Sequence, residues 1–141
     1  MVAPFSRTFV IEGGNFLNAG KASTAIKGML KELGISPAVI RRVAIAAYEA
    51  EMNVVMYAKR ATMAFSMTPS VIRIQVEDEG AGIPDIKAAM QEGFSTATRE
   101  MREMGFGAGL GLPNIKRNAD HFTIESTVGK GTRLTITITI N

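Results

Sequence analysis

The sequence contains no cysteine and a single histidine, His121, in 141 residues. The absence of cysteine excludes a disulfide framework and thiolate metal sites, and one histidine cannot build a His-rich metal site. Tryptophan is also absent, and no apolar run reaches the roughly 18 residues that a membrane span needs. The N-terminus does not have the charged, apolar and small-residue order of a signal peptide. We therefore expect a cytoplasmic protein that does not contact the membrane.

The charge of the chain is only weakly one-sided. The net charge is +3 and the sequence pI is about 9.4. The cations are scattered, and the sequence lacks the interleaved aromatic and basic residues typical of an RNA-binding sheet. This distribution favours a mildly basic surface that tolerates an anionic ligand over a surface that binds nucleic acid. The length and the 46% hydrophobic content predict one domain over residues 1–141.

Apolar periodicity divides the chain into strands and helices in an α+β order. The predicted strands cover residues 5–12, 61–68, 71–77, 121–127 and 133–140. The predicted helices cover residues 16–33, 36–59, 84–91 and 112–118. Gly34 has the position of a C-cap, and Ser36 followed by Pro37 is typical of a helix start.

Two polar residues interrupt the apolar second helix. Glu49 and Asn53 are four residues apart, so they lie one turn from each other at the margin of the apolar face. Polar groups at that margin need partners. One interpretation is a surface hydrogen bond between the two side chains, or solvation. The other is a magnesium and phosphate site, with the Asn oxygen as metal ligand and Glu49 as proton acceptor.

An acidic turn follows the third predicted strand. Asp78 is followed by Gly80 and Gly82, and glycines let the backbone bend sharply or approach a ligand closely. A fixed carboxylate beside such a turn suits the edge of a base or a sugar. The alternative is an acidic surface turn with no ligand.

A second glycine cluster runs from residue 105 to residue 111 and enters a predicted helix, which is typical of a phosphate site. The segment before it, residues 93–107, has no clear period and contains Arg99 and Arg102. We interpret that segment as a lid or a surface loop. The missing strand before the glycines excludes a Rossmann site, and the missing Gly-Lys-Ser/Thr excludes a Walker A loop.

Four motifs now stand in one order, and together they resemble the GHKL ATP-binding superfamily. They are Glu49-x-x-x-Asn53, Asp78-x-Gly80-x-Gly82, Gly107-x-Gly109-x-Gly111 and Gly131-Thr132. Within that superfamily the chain is most similar to bacterial anti-sigma factors and switch-protein serine kinases. The resemblance implies a two-layer α/β sandwich of the Bergerat type, with helices on one face of a mixed, mostly antiparallel sheet.

The resemblance also implies a role for each motif. Asn53 would hold Mg²⁺, and Glu49 would act as the general base. Asp78 would accept from the adenine amino group with help from Thr132. Gly80 and Gly82 would leave room for the base. The phosphates would meet the backbone of the second glycine cluster (Gly107, Gly109, Leu110 and Gly111) and one of two lid arginines (Arg99 or Arg102).

Three functions follow from this resemblance. The first is an ATP- and Mg²⁺-dependent serine/threonine kinase that phosphorylates a STAS-domain protein of the anti-anti-sigma type. The second is an anti-sigma factor or interaction switch that needs no transfer. The third is a stand-alone ATPase. A sigma factor, a phosphatase or a second copy of the chain are further partners that the resemblance allows.

Overall fold

The computed structural model describes residues 5–91 and 111–140. Five strands are present: β1 (Phe5–Glu12), β2 (Ala58–Met67), β3 (Val71–Gly80), β4 (His121–Thr127) and β5 (Gly131–Thr139). The helices are a 3₁₀ turn (Phe16–Asn18), α1 (Lys21–Glu32), α2 (Pro37–Tyr57), α3 (Ile86–Ala89) and α4 (Gly111–Asn118). Within the described residues, no helix is both long and apolar enough to cross a bilayer.

The strands form one five-stranded sheet in the order β1-β2-β3-β5-β4. The predicted α+β fold is confirmed. All four strand pairs in the described residues are antiparallel, so the parallel component expected of a mixed sheet is not found there. The reason is that β5 inserts between β3 and β4 and runs antiparallel to both.

The core lies between this sheet and α2. Alternate residues of the central strands are buried, as the period of two requires; they include Met63, Phe65, Ile72, Ile74, Ile136 and Ile138. Helix α2 buries ten of its 21 residues and contacts β1, β2, β3 and β5. Helices α1 and α4 pack on either flank against α2, which fixes all three relative to the sheet.

The predicted single helix over residues 16–33 is wrong at its start. Residues Phe16–Asn18 form only a 3₁₀ turn, and Gly20, at φ 94°, separates this turn from α1. The backbone N–H groups of Gly20, Ala22 and Ser23 donate to the carboxylate of Glu51, at 3.0, 3.2 and 2.9 Å. This side chain from α2 caps the new helix start, so α1 needs no cap of its own.

The second helix begins as predicted and ends early. The Ser36 hydroxyl accepts from the Val39 N–H, and Pro37 is the first helical residue. The helix ends at Tyr57 rather than near residue 59, because Ala58 already pairs with Gly80 across the sheet. The same pairing carries β3 through Asp78, which therefore lies in a strand and not in a turn.

Other predicted boundaries also move, including the start of β2, which lies at Ala58 rather than at residue 61. Helix α3 is only four residues long, and the Asp85 carboxylate caps it by accepting from the Ala88 N–H at 3.0 Å. Strand β5 begins at Gly131, two residues earlier than expected, because Gly131 pairs with Thr127 of β4. Strand β4 matches the predicted range of residues 121–127.

Candidate functional site

Glu49 lies on α2 where this helix meets α4. Its side chain is half-buried, and its Oε2 accepts a hydrogen bond from Asn114 Nδ2 at 3.4 Å. Asn53 is one helical turn further along α2 and is also half-buried. Among the described residues, Glu49 bonds to Asn114 of α4 and not to Asn53, so the surface hydrogen bond between Glu49 and Asn53 that the sequence left open does not form.

The environment of Glu49 favours its protonated form. Burial raises the pKa of the Glu49 carboxyl above its ordinary value, and the hydrogen bond from Asn114 opposes that rise. Asn114 Oδ1 in turn accepts from Arg117, so the amide is held with its nitrogen toward Glu49. A carboxylate with a raised pKa is suited to accept a proton near neutral pH.

The N-terminus of α4 lies beside the same carboxylate. A Cβ added at Gly111 would stand 3.6 Å from Glu49 Oε2, an ordinary van der Waals distance. The first-turn N–H groups of a helix carry a partial positive charge that favours anions. The predicted phosphate-binding residue Gly111 and the predicted base Glu49 are therefore brought together.

A second polar cluster forms where β3, β4 and β5 meet. Asp78 Oδ1 accepts from the Thr132 N–H at 3.1 Å. The Thr132 hydroxyl is 2.9 Å from Ser126 Oγ, and Ser126 Oγ also accepts from the Ile83 N–H at 2.7 Å. Burial raises the pKa of the Asp78 carboxyl, and the bond from Thr132 opposes the rise. The predicted pair of Asp78 and Thr132 is thus in contact.

The glycines around Asp78 are crowded by protein. Gly82 has φ 78°, and a Cβ there would lie 2.5 Å from the Thr127 carbonyl oxygen. At Gly131, with φ 150°, a Cβ would overlap the Asp78 carbonyl. A Cβ on Gly80 would lie 3.2 Å from the Ala58 Cα. Gly82 and Gly131 are therefore needed for backbone packing, whereas a Cβ at Gly80 would be a tight contact that a small shift could relieve.

The family model of the histidine kinase-like ATPase domain matches residues 18–138. The matched range contains both polar clusters and all the helices from α1 onward. This chain belongs to that family.

Two curated relatives are similar to this ATPase domain over most of their length. One is the serine/threonine-protein kinase RsbT of Bacillus subtilis, 33% identical over 112 residues that cover 77% of this chain and 78% of the relative. The other is the anti-sigma F factor of Caldanaerobacter subterraneus, 31% identical over 125 residues that cover 85% and 84%. This chain is also 44% identical to the anti-sigma F factor of a Thermoanaerobacter strain, over a shorter stretch of 66 residues.

Some predicted site residues of this ATPase domain lie outside the described residues. They fall within residues 92–110 and are Arg99, Arg102, Gly107, Gly109 and Leu110. The lid interpretation of residues 93–107 lies outside them as well. Their roles stay predictions.

Three residues of the domain were missed by sequence reasoning. Asn114 and Glu51 act through partners 65 and 28 to 31 positions away, and no local pattern marks such contacts. Ser126 did leave a signal. It shares the inward face of β4 with Phe122 and Ile124, so a hydroxyl at that position needs a partner.

The donor set of the domain suits a nucleotide with a hard cation. Among the described residues, no group of three or more His, Asp or Glu side chains is placed to share a metal ion. A cation here would therefore rely on oxygens such as the Asn53 amide together with phosphate, which is how Mg²⁺ is commonly held. Asp78 offers an acceptor for an amino group, and the α4 N-terminus offers N–H donors for an anion.

Proposed function

We propose that this chain is an ATP- and Mg²⁺-dependent serine/threonine kinase of a bacterial partner-switching module. Its substrate is a STAS-domain protein of the anti-anti-sigma type, phosphorylated in the cytoplasm. The proposal rests on one observation above all. Glu49, a half-buried carboxylate with a raised pKa, lies beside a helix N-terminus in a chain that belongs to the histidine kinase-like ATPase family.

The two polar clusters divide the work of binding ATP. Asp78 accepts from the adenine amino group, and Thr132 holds the Asp78 carboxylate in place through its N–H. Asn53 would supply an oxygen to Mg²⁺, and the bound ion would neutralise phosphate charge. Gly111 and the preceding Gly107, Gly109 and Leu110 supply N–H groups to the phosphates, and Arg99 or Arg102 meets the γ-phosphate.

The transfer step needs one proton acceptor and correct positioning. Glu49 takes the proton from the acceptor hydroxyl as its oxygen bonds to the γ-phosphorus. The bond from the γ-phosphorus to the bridging oxygen breaks, and ADP leaves with the electron pair. Asn114 orients Glu49 for this step, because its Nδ2 donates to Oε2 at 3.4 Å.

The test is transfer of phosphate from radiolabelled ATP to candidate STAS proteins of the same genome. We expect the wild-type chain to label one of them on serine or threonine. Glu49→Gln keeps the size of the side chain and its contact with Asn114 but removes the base, and we expect at least a hundredfold loss of rate. Its ATP affinity, measured by calorimetry with Mg²⁺, should stay within about twofold of wild type.

Two results would contradict the kinase proposal. One is unchanged labelling by Glu49→Gln, which would remove Glu49 from the chemistry. The other is tight ATP binding with no labelling of any STAS protein that the chain binds. The second result would favour an interaction protein.

Similarity to anti-sigma F factors supports that second candidate, an anti-sigma factor or nucleotide-dependent switch. Such a protein would bind a sigma factor, or answer to a phosphatase, without transferring phosphate. Pull-down of sigma factors with and without ATP separates the two functions. Nucleotide-dependent capture of a sigma factor by Glu49→Gln, at wild-type strength, is the expected result for a switch.

A further inference from the structure

A groove of about 490 Å³ lies on the outer face of the helix layer. Its floor is one face of α2, and its walls come from α1 and α4. The lining consists of Ser23, Thr24, Lys27, Ala44, Ile45, Tyr48, Glu49, Asn114 and Asn118. The Asp78 cluster lies between strands and is not part of this described lining. The groove therefore reaches Glu49 from the side of the helices, away from the adenine-binding cluster.

The length of the groove limits what it can hold. Its floor runs from Ala44 to Glu49, which is about 7 Å of helix at 1.5 Å per residue. An extended chain advances about 3.3 Å per residue, so the groove takes two or three residues of an extended segment. That is the size of a loop tip on a folded protein.

The helix layer around the groove is positive. Helices α1, α2 and α4 carry seven cations, namely Lys21, Lys27, Lys31, Arg41, Arg42, Lys116 and Arg117, against three acids, Glu32, Glu49 and Glu51. Glu51 is buried under the α1 N-terminus. The three helices therefore carry +4, or +3 once the ion pair of Arg42 with Asp120 at 3.1 Å is counted, which equals the net charge of the whole chain. Such a surface attracts an acidic partner.

The groove also presents an aromatic ring and a lysine. Tyr48 is 41% exposed, and its ring edge would lie 3.7 Å from a Cβ placed on Gly20. An exposed tyrosine on a rigid helix is a common anchor in protein interfaces. Lys27 is exposed on α1 and is the cation among the described residues of the groove lining.

We propose that this groove binds the acceptor loop of the substrate protein, with Lys27 pairing to an acidic residue next to the acceptor serine or threonine. This inference rests on the proposed kinase function and deepens it, because it names the surface and the charge that select the substrate. Tyr48 packs on the loop, and the acceptor hydroxyl meets Glu49 at the end of the groove. Lys27 is a specificity residue and takes no part in the chemistry.

The test uses two short synthetic peptides, each with a single central serine. Aspartate and glutamate flank the serine in one, and lysine flanks it in the other. Binding to the ATP-loaded chain is measured by fluorescence anisotropy, and the location by amide chemical shifts. We expect at least tenfold tighter binding of the acidic peptide, with shifts in Tyr48, Asn114 and Asn118.

Charge reversal then assigns the preference to Lys27. Lys27→Glu should lose the acidic-peptide preference, and binding of the lysine peptide should improve by about tenfold. Arg73→Glu makes the same change of net charge at an exposed position of β3, on the sheet face away from the helices. This control should keep the wild-type preference. Both substitutions are at exposed positions, so the fold should survive them.

Peptide binding and phosphate transfer are measured separately, so the groove proposal and the kinase proposal can be rejected independently. An acidic preference that Lys27→Glu abolishes would support the groove even if no STAS protein is labelled, a result that overturns the kinase alone. No preference between the peptides would overturn the groove. So would equal effects of the two charge reversals, or shifts that avoid α1, α2 and α4.

Discussion

At the scale of single residues, the hydrogen bond between Asn114 and Glu49 affects the pH range in which the proposed base can accept a proton. Protonated Glu49 cannot accept a proton, so the transfer rate should fall as pH drops through its pKa. Asn114 lowers that pKa, against the rise caused by burial. The acid limb of the pH–rate profile, where the transfer rate falls at low pH, should therefore depend on Asn114.

We predict that Asn114→Ala moves this acid limb to higher pH. Removing the amide donor leaves burial unopposed, so Glu49 takes up a proton at a higher pH than in wild type. The measurement is the pH profile of the single-turnover transfer rate. Lys116→Ala, at an exposed position on the same helix, should leave the limb where it is. An unmoved limb in Asn114→Ala would mean that the two side chains do not communicate.

We also predict that Asp78→Asn weakens ATP binding by ten- to a hundredfold. The Asn oxygen can still accept from the Thr132 N–H, but the charge that strengthens the bond to the adenine amino group is gone. Calorimetry with Mg²⁺ and ATP measures the loss. GTP supplies a control, because its base has no amino group at the corresponding position. Equal ATP affinity in variant and wild type would contradict the adenine assignment.

The resemblance predicted one long-range pair of site residues. It placed Asp78 and Thr132, 54 positions apart, at the same site, and they are in contact through a hydrogen bond. Asn114 was not predictable, since its bond to Glu49 joins positions 65 apart. The assignment of Asn53 to Mg²⁺ stays a prediction.

At the scale of elements, the start of α1 depends on a residue of another helix. Glu51 is 2% exposed and accepts from three backbone N–H groups. Local reading of residues 16–33 predicts one helix because the apolar spacing is continuous there. The capping carboxylate lies about 30 positions away, and this is why the break at Gly20 was missed.

We predict that Glu51→Ala lowers the free energy of unfolding by roughly 2–3 kcal/mol, because two buried N–H groups and one partly buried N–H group lose their acceptor. Glu51→Gln keeps one acceptor oxygen, so its free energy of unfolding should lie between those of wild type and Glu51→Ala. Urea denaturation followed by circular dichroism measures both. Glu32→Ala, an exposed acid at the other end of α1, should change stability by less than about 0.5 kcal/mol. A Glu51→Ala loss no larger than that of the control would show that the cap is dispensable.

The two ends of α2 differ in whether adjacent residues or distant partners decide them. Ser36 and Pro37 marked the start of α2 correctly, since capping is decided by adjacent residues. The end of α2 was predicted two residues late, because the pairing of Ala58 with Gly80 is a tertiary event. The order of strands in the sheet, β1-β2-β3-β5-β4, was not predicted from the sequence.

At the scale of the whole molecule, the two site carboxylates oppose folding. The pKa values of Glu49 and Asp78 are raised above 4.5 and 3.8, so the folded chain binds protons more readily than the unfolded chain. Their contribution to stability is therefore fully present below these ordinary values. It is lost as pH rises through the raised pKa values.

We predict that Glu49→Gln and Asp78→Asn both raise the urea midpoint at neutral pH. Neither amide has a charge to desolvate, and both keep the hydrogen bonds seen for the acids. The gain over wild type should vanish as the pH is lowered below about 4, where the wild-type acids are themselves neutral. A gain that persists in acid would point to a cause other than charge burial.

The order of the strands in the sheet determines which strands can pair while the chain is being synthesised. Strand β5 has two neighbours, β3 and β4, and it follows both of them along the chain. When only the first four strands have been synthesised, β1, β2 and β3 can form a three-stranded sheet in which one edge of β3 is unpaired. Strand β4 then has no described strand to pair with. The unpaired edge of β3 can pair with a strand of another nascent chain. Until β5 has paired with β3, nascent copies that lie close together can therefore associate through this edge.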